Sequence, residues 1–447
     1  MGLGVFEFVE KWLEEIPQPK VPAIGTERSA KRRKLDSTTF SLPSPERSVA
    51  SSDPGQGRQY SDPRMNPETP QKRKSVDQTV DNDDTPRPNK VPSTPTGSAI
   101  MRDAPSMSAS DSSQRSGRSS PSRTFPFTGI DGHYLNSMTL DPNHDGFPSG
   151  LEELLQTMDD IMEKRDIVPE YLKSEIEKPT QTDKTLRRLR SYAYTSSSDF
   201  GLDSDDLIPA NRFLSTVIGL SKFAGQCQDD SYDETGWNHL VHTPILQTVF
   251  RGGQWPSNAL IDFAPCMNAS VVTAYHRFFT APSKVDYTLY INPKFDSDDG
   301  VNEAIEKLYK SPFGSVNHTA FGPLSKYPSS LSIETKRYGG DLRRADVQTA
   351  AWHAAQWTYL KSQAGDAVDE LPFLPGIIVQ GHEWKFVATT RKNNETILWS
   401  SFQFGTSQTA VGVLQIMAGL HRLKRWSKDV YWPWYKKNVL KLRVKTV

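Results

Sequence analysis

Three charged residues lie in two stretches whose other residues are typical of buried β-strands. Glu334 and Lys336 follow Leu331 and Ile333 in LSIETKRYGG, and Asp286 interrupts KVDYTLYI. Because side chains alternate between the two faces of a strand, Glu334 and Lys336 share one face and lie within about 7 Å of each other. The simplest interpretation is a surface ion pair, which would stabilise the fold by at most ~1 kcal/mol.

The second carboxylate favours a different interpretation. If the two strands are neighbours, Asp286 and Glu334 meet at one end of the sheet. Two carboxylates held together repel unless a cation lies between them, and oxygen ligands of this kind suit Mg²⁺ or Mn²⁺. Such an ion lowers the pKa of bound water and stabilises charge on a phosphate, while Lys336 would assist the attack of that water. The residues therefore predict a metal-dependent phosphodiesterase site.

The residues from about Gly150 onward have a globular composition, and their apolar spacing predicts alternating helices and strands. The element order predicts a mixed α/β fold with one central sheet flanked by helices. The predicted helices cover Leu151–Leu172, Leu207–Cys227, Asp233–Phe250, Val301–Tyr309, Arg343–Ser362 and Val411–Ser427. The predicted strands cover Val271–Phe279, Lys284–Ile291, Ser330–Lys336, Gly376–Thr390 (one strand or two) and Thr396–Phe404.

The N-terminal part of the chain divides into two segments. Residues 1–16 predict an amphipathic helix, and residues 17–130 form a Ser/Pro-rich linker. Such a linker buries too little apolar surface to offset its ordering entropy, so we expect it to be disordered. It contains the basic cluster Lys31, Arg32, Arg33 and Lys34, which predicts nuclear import; a chance charge run in a solvated linker is the alternative. The remaining domain is expected to span residues 150–440.

Composition excludes several classes of protein. The formal net charge is zero and only two cysteines are present, so neither a disulfide framework nor a four-ligand zinc pattern is expected. The chain has no run of about 18 apolar residues, so no membrane span is predicted. The C-terminal YWPWYKK mixes aromatic and basic residues. These rings either stack on nucleic-acid bases or dock on the protein core, and docking is the favoured prediction.

Several motifs together resemble those of the fungal PD-(D/E)XK nuclease-like domain proteins. They are ETGWNHLVH, VDYTLYI, SIETK, VQTAAWHAAQW, LPGIIVQGHEWKFVA and WPWY, and the resemblance covers roughly Pro169 to Tyr435. It implies a restriction-endonuclease-like fold and a metal-dependent nuclease acting on DNA or RNA. By this resemblance Asp286 and Glu334 match the motif's two acids and Lys336 matches its lysine.

The resemblance also assigns roles to two further residues. Glu234 matches the accessory acid that some branches use as an extra metal ligand. Gln348, with Trp352 one helical turn later, resembles a Gln-x-x-x-aromatic helix in which the Gln orients the lysine or the nucleic acid. The motif's proline is absent, since Val285 precedes Asp286. A catalytically inactive binding or scaffold protein with a nuclease fold remains the alternative.

Overall fold

The computed structural model describes residues 125–202, 208–252, 257–278 and 284–443. Within these residues it has a mixed central sheet flanked by helices, which confirms the predicted α/β fold. The strands are β1 Phe127–Thr128, β2 Tyr134–Thr139, β3 Val168–Pro169, β4 Tyr194–Thr195, β5 Ile261–Pro265, β6 Tyr287–Ile291, β7 Ser329–Lys336, β8 Leu374–Gln380, β9 Glu383–Lys392 and β10 Glu395–Thr406. The predicted helix at 1–16, and the linker as far as residue 124, lie outside the described residues.

Ten α-helices are present in the described part of the chain. Short 3₁₀ turns connect several of them. The helices are α1 Ser149–Met162, α2 Lys173–Ile176, α3 Ser197–Phe200, α4 Ala210–Asp229, α5 Glu234–Trp237, α6 Thr243–Arg251, α7 Gly300–Tyr309, α8 Leu342–Ala364, α9 Ala410–Trp426 and α10 Trp432–Asn438.

The main sheet has the strand order β1-β2-β10-β9-β8-β7-β6-β5. β7 and β8 run parallel, as do β10 and β2, and the other neighbouring strands are antiparallel. The crossover from β7 to β8 is made by α8, as expected for a parallel pair. β3 and β4 form a separate two-stranded pair.

β7 is buried on both faces, and this explains its mixed composition. Its eight residues are all buried. On the polar face, the Ser332 hydroxyl lies 2.6 Å from Nε2 of His353 on α8. The packing between α8 and the sheet is close, since a Cβ at Gly376 of β8 would lie 3.2 Å from the His353 ring. The face that carries Glu334 and Lys336 therefore packs against a helix and is not exposed to solvent.

The predicted helix over Asp233–Phe250 contains an unexpected feature. It consists of α5 and α6 joined by a π-helical turn at Asn238–His242. Pro244 has no N–H to donate to the preceding turn, and the wider π turn accommodates this loss without ending the helix. The turn brings Asn238 to the sheet with a side chain that is almost fully buried.

The predicted hairpin between Val271–Phe279 and Lys284–Ile291 is wrong. β6 pairs instead with β5, which the sequence interpretation missed. The described part of Val271–Phe279 contains an isolated bridge at Val271 and a 3₁₀ turn at Thr273–Tyr275. The aromatic residues of this stretch are explained by packing rather than by strand pairing. The Tyr275 ring lies 5.4 Å from that of Tyr359 on α8.

Two boundaries also differ from the prediction. The helix expected over Leu151–Leu172 ends at Met162, because Lys164 and Asp166 adopt positive φ and β3 follows. The sheet begins earlier than residue 150, since β2 lies beside β10. β1 occupies two residues of the stretch that was expected to be linker.

The segment between β6 and β7 leaves and re-enters the sheet at the end opposite to Asp286. The C-terminal helix α10 docks on it. The Trp432 indole N–H donates to Asp296, and the Tyr435 hydroxyl donates to the Val316 carbonyl at 2.6 Å. Trp432 and Trp434 are buried. The structure thus agrees with docking of the YWPWYKK segment rather than with base stacking.

Candidate active site

Asp286 and Glu334 lie opposite each other on neighbouring strands. Asp286 immediately precedes β6, and the pairing of Tyr287 with Ile333 places it beside Glu334 of β7. The Asp286 N–H donates to the Ile333 carbonyl at 3.0 Å, which continues the ladder by one residue. Antiparallel pairing therefore brings together two acids that are 48 positions apart in the chain.

Glu334 and Lys336 form a buried ion pair. Lys336 Nζ lies 2.6 Å from Glu334 Oε1, and the residues are 6% and 2% exposed. Lys336 Nζ also donates to the Thr335 carbonyl at 3.0 Å and lies 3.5 Å from Oε2 of Glu234 on α5. Glu234 is more accessible than the strand residues, so the cluster opens toward α5.

Burial and mutual charge set the protonation of this cluster. Burial raises the pKa of Glu334 well above its ordinary value; Lys336 opposes this shift, and the carboxylates of Asp286 and Glu234 add to it. Burial also raises the pKa of Asp286, against the stabilising N–H of Thr335 and the charge of Lys336. For Lys336, burial alone would lower the pKa, but Glu334 and Glu234 raise it above its ordinary value.

The donor set fits a hard divalent cation by its chemistry. Three carboxylates and one ammonium leave two uncompensated negative charges when all are ionised, and every candidate ligand atom is an oxygen. Within the described residues, no three His, Cys, Asp or Glu side chains are grouped closely enough to hold a metal ion. Mg²⁺ needs no such group, since it is commonly bound by one or two carboxylates together with waters and substrate phosphates.

Two residues that sequence reasoning missed hold Asp286 in place. The main-chain N–H of Thr335 donates to Asp286 Oδ2 at 2.8 Å, and the Thr335 hydroxyl lies 2.9 Å from the same oxygen. That hydroxyl is also 2.9 Å from Asn238 Oδ1, and the same oxygen accepts from His242 Nδ1 at 2.9 Å. A Thr in a strand and an Asn in a helix carry no sequence signal for this role.

Gln348 is the remaining candidate residue. Gln348 is on α8, and its buried Oε1 has no hydrogen-bond partner among the described residues. No hydrogen bond in the described part of the chain joins Gln348 to Asp286, Glu334 or Lys336.

Within the described residues, the histidines near the site belong to no group of side chains that could hold a metal ion. His239 is exposed, whereas His242 is buried, and burial lowers the pKa of His242 to about 4. His382 is also buried, with Nδ1 3.0 Å from the Ser407 hydroxyl.

Within the described residues, each helix is too short or too polar to span a bilayer.

No curated protein matches the chain. The sequence profile of the PD-(D/E)XK nuclease superfamily matches residues 177–432, which is more than half of the chain and includes Glu234, Asp286, Glu334, Lys336 and Gln348. Nucleases of this superfamily generally use divalent metal ions. The chain therefore belongs to the PD-(D/E)XK nuclease superfamily.

Proposed function

We propose that this protein is a divalent-metal-dependent nuclease that hydrolyses phosphodiester bonds in DNA or RNA. Asp286 and Glu334 are the proposed metal ligands, and Glu234 is the proposed accessory ligand. The observation that carries the proposal is the buried cluster itself: two strand acids and a lysine, with a third acid 3.5 Å from the ammonium. A bound Mg²⁺ or Mn²⁺ would supply a water of lowered pKa and charge stabilisation at the phosphate.

In this proposal Lys336 acts as a cationic hydrogen-bond donor. Its raised pKa keeps the ammonium protonated at neutral pH, which argues against a role as general base. A protonated lysine donates to the attacking water or to a non-bridging phosphate oxygen, and it offsets the negative charge that develops as the bond breaks. Asp286 is oriented for its role by the two donors of Thr335.

The direct test is cleavage of labelled single- and double-stranded DNA and RNA with Mg²⁺ or Mn²⁺. We expect cleavage by the wild type and its loss in the near-isosteric variants Asp286→Asn and Glu334→Gln and in Lys336→Met. The control is Glu306→Gln, because Glu306 and Lys326 form an exposed ion pair at the same 2.6 Å distance. Equal activity in the wild type and the three site variants would reject the proposal, as would no cleavage of any substrate.

One observation favours a second candidate, a nuclease-fold binding or scaffold protein without catalysis. The Lys336 ammonium already neutralises Glu334 directly, so the cluster is partly satisfied without a cation. Calorimetric titration with Mn²⁺ separates the two functions. Binding that disappears in Asp286→Asn supports the nuclease, and no binding at millimolar Mn²⁺ supports the scaffold.

The nucleus is the proposed site of action. This proposal rests only on the cluster Lys31, Arg32, Arg33 and Lys34, which lies outside the described residues. Its test is the distribution of the fluorescently tagged full chain before and after alanine replacement of these four residues. A nuclear signal that is unchanged by the replacement would reject this cluster as the import signal.

A further inference from the structure

An exposed tyrosine lies directly beyond the candidate catalytic lysine. Tyr338 follows Lys336 by two residues, at the point where β7 ends, and 53% of its surface is exposed. Two positions before it in the chain is the lysine that is proposed to contact the scissile phosphate.

The Tyr338 ring has a fixed support. Its centroid lies 6.2 Å from that of the buried His382, in an edge contact. His382 in turn packs edge-on against Trp237 of α5 at 5.0 Å. The adjacent Gly381 donates its N–H to the Lys336 carbonyl at 2.8 Å, and a Cβ at Gly381 would lie 2.9 Å from Tyr338. The glycine thus permits a close approach that anchors the Tyr338 loop to the end of β7.

The sequence around Tyr338 is basic. The stretch from Lys336 to Arg344 contains four basic residues and one acid, Asp341. Arg337 and Arg343 are exposed, and Asp341 is occupied as the N-cap of α8, where it accepts from the Arg344 N–H. Exposed cations beside an exposed ring are the combination that binds a phosphate backbone and stacks its bases.

A second exposed aromatic ring lies near Glu234, the carboxylate that α5 contributes to the cluster. Tyr232 precedes Glu234 by two residues and is 37% exposed. Its ring lies across the first turn of α5, because a Cβ at Gly236 would come within 2.4 Å of the Tyr232 ring. Both chain segments that meet in the Lys336–Glu234 contact therefore present an aromatic side chain to solvent.

We propose that Tyr338 is a stacking platform for an unpaired base, and that the substrate class of this site is single-stranded nucleic acid. The inference rests on the proposed function, because it places the scissile phosphate at Lys336. A ring can stack on a base only where that base is not already stacked within a duplex, and duplex substrates must first be unpaired. Arg337 and Arg343 contact the phosphates on either side of the stacked base in this arrangement.

The test is binding of the full-length protein to oligonucleotides that carry the fluorescent base 2-aminopurine. It is performed in EDTA, so that hydrolysis does not interfere, with single-stranded and duplex DNA and with single-stranded RNA. Stacking on Tyr338 quenches the fluorescence of the single strand. We expect Tyr338→Ala to weaken single-strand binding about tenfold and to abolish quenching, with duplex binding changed less than about twofold. Tyr338→Phe keeps the ring and is expected to behave as wild type.

Tyr192→Ala is the matched control, because Tyr192 is 54% exposed and lies in a different part of the fold, beside β4. Thermal melting verifies that each variant is folded. Wild-type single-strand affinity in Tyr338→Ala, or an equal loss for single strand and duplex, would overturn the stacking role. If one of these outcomes is found together with metal-dependent cleavage, the nuclease function is retained and only the stacking role is rejected. Tyr338-dependent binding without any cleavage would instead retain the platform and reject hydrolysis.

Discussion

Lys336 Nζ lies 2.6 Å from Glu334 Oε1, and both side chains are almost completely withdrawn from solvent. Exposed Lys326 and Glu306 have the same separation elsewhere in the fold. The two pairs have equal N–O distances and opposite environments, so a comparison of their stabilities tests the effect of burial at a constant distance.

The first prediction concerns stability. Lys336→Met leaves Glu334 buried without its ammonium and is expected to lower the free energy of unfolding by about 3 kcal/mol. Lys326→Met breaks an exposed pair and is expected to cost less than about 1 kcal/mol. Urea unfolding at neutral pH without divalent metal measures both values. Equal losses in the two variants would contradict the role assigned to burial.

The second prediction concerns metal affinity. Removing the Lys336 ammonium removes the cation that competes for Glu334, so Lys336→Met is expected to bind Mn²⁺ about tenfold more tightly while cleavage is lost. Asp286→Asn is expected to bind Mn²⁺ more weakly than wild type. Calorimetry gives both constants. Weaker Mn²⁺ binding in Lys336→Met would show that the lysine does not oppose the metal.

The third prediction concerns the positioning of Asp286. Thr335→Val keeps the side-chain shape and the main-chain donor but removes the hydroxyl between Asp286 and Asn238. We expect a loss of about 1 kcal/mol in stability and a fall in cleavage rate. Thr349→Val is the control, because the buried Thr349 hydroxyl has no partner among the described residues. A cleavage rate in Thr335→Val equal to that in Thr349→Val would remove Thr335 from the site.

The fourth prediction concerns Gln348. Its buried Oε1 makes no hydrogen bond within the described residues, so Gln348→Leu is expected to leave the unfolding free energy unchanged or higher. If the oxygen orients Lys336 or the nucleic acid, as the family resemblance implies, cleavage falls at the same time. Full cleavage activity in a stable Gln348→Leu protein would reject that role. Thermal melting and initial rates provide the two measurements.

The fifth prediction concerns acid unfolding. Burial lowers the pKa of His318 to about 3, whereas an unfolded histidine titrates near 6.5. Between these values the unfolded chain binds more protons, so stability falls as pH falls, by about 1.4 kcal/mol per pH unit for this group. His318→Leu is expected to reduce the pH slope by one proton. A pH slope in His318→Leu equal to that of the wild type would contradict this assignment.

The sequence predicts the strand that carries Glu334 and Lys336 because Leu331 and Ile333 alternate with Ser332 and Glu334. It also predicts α8 and α9, which are long and contain few helix breakers. It fails at Val271–Phe279, where aromatic and β-branched residues are buried by packing on α8 rather than by strand pairing. Local composition cannot distinguish these two causes of burial, so β5 was overlooked as the partner of β6.

The residues of the candidate site also divide into those that the sequence reveals and those that it does not. The acids and the lysine could be found because charged residues are conspicuous in an apolar strand. Thr335 and Asn238 could not, because their roles depend on the register of β6 against β7 and on the π turn before Pro244. Both features depend on the tertiary structure. A Thr is also common in strands, so its presence there indicates no special role.

The position of β2 has a practical consequence. β2 pairs along six residues with β10, yet it lies well before residue 177, where the superfamily match begins. A fragment trimmed to the matched span would expose the backbone donors and acceptors of β10 along that edge. Open edges of this kind recruit strands from other molecules, so such a fragment is expected to self-associate and precipitate where the longer chain does not.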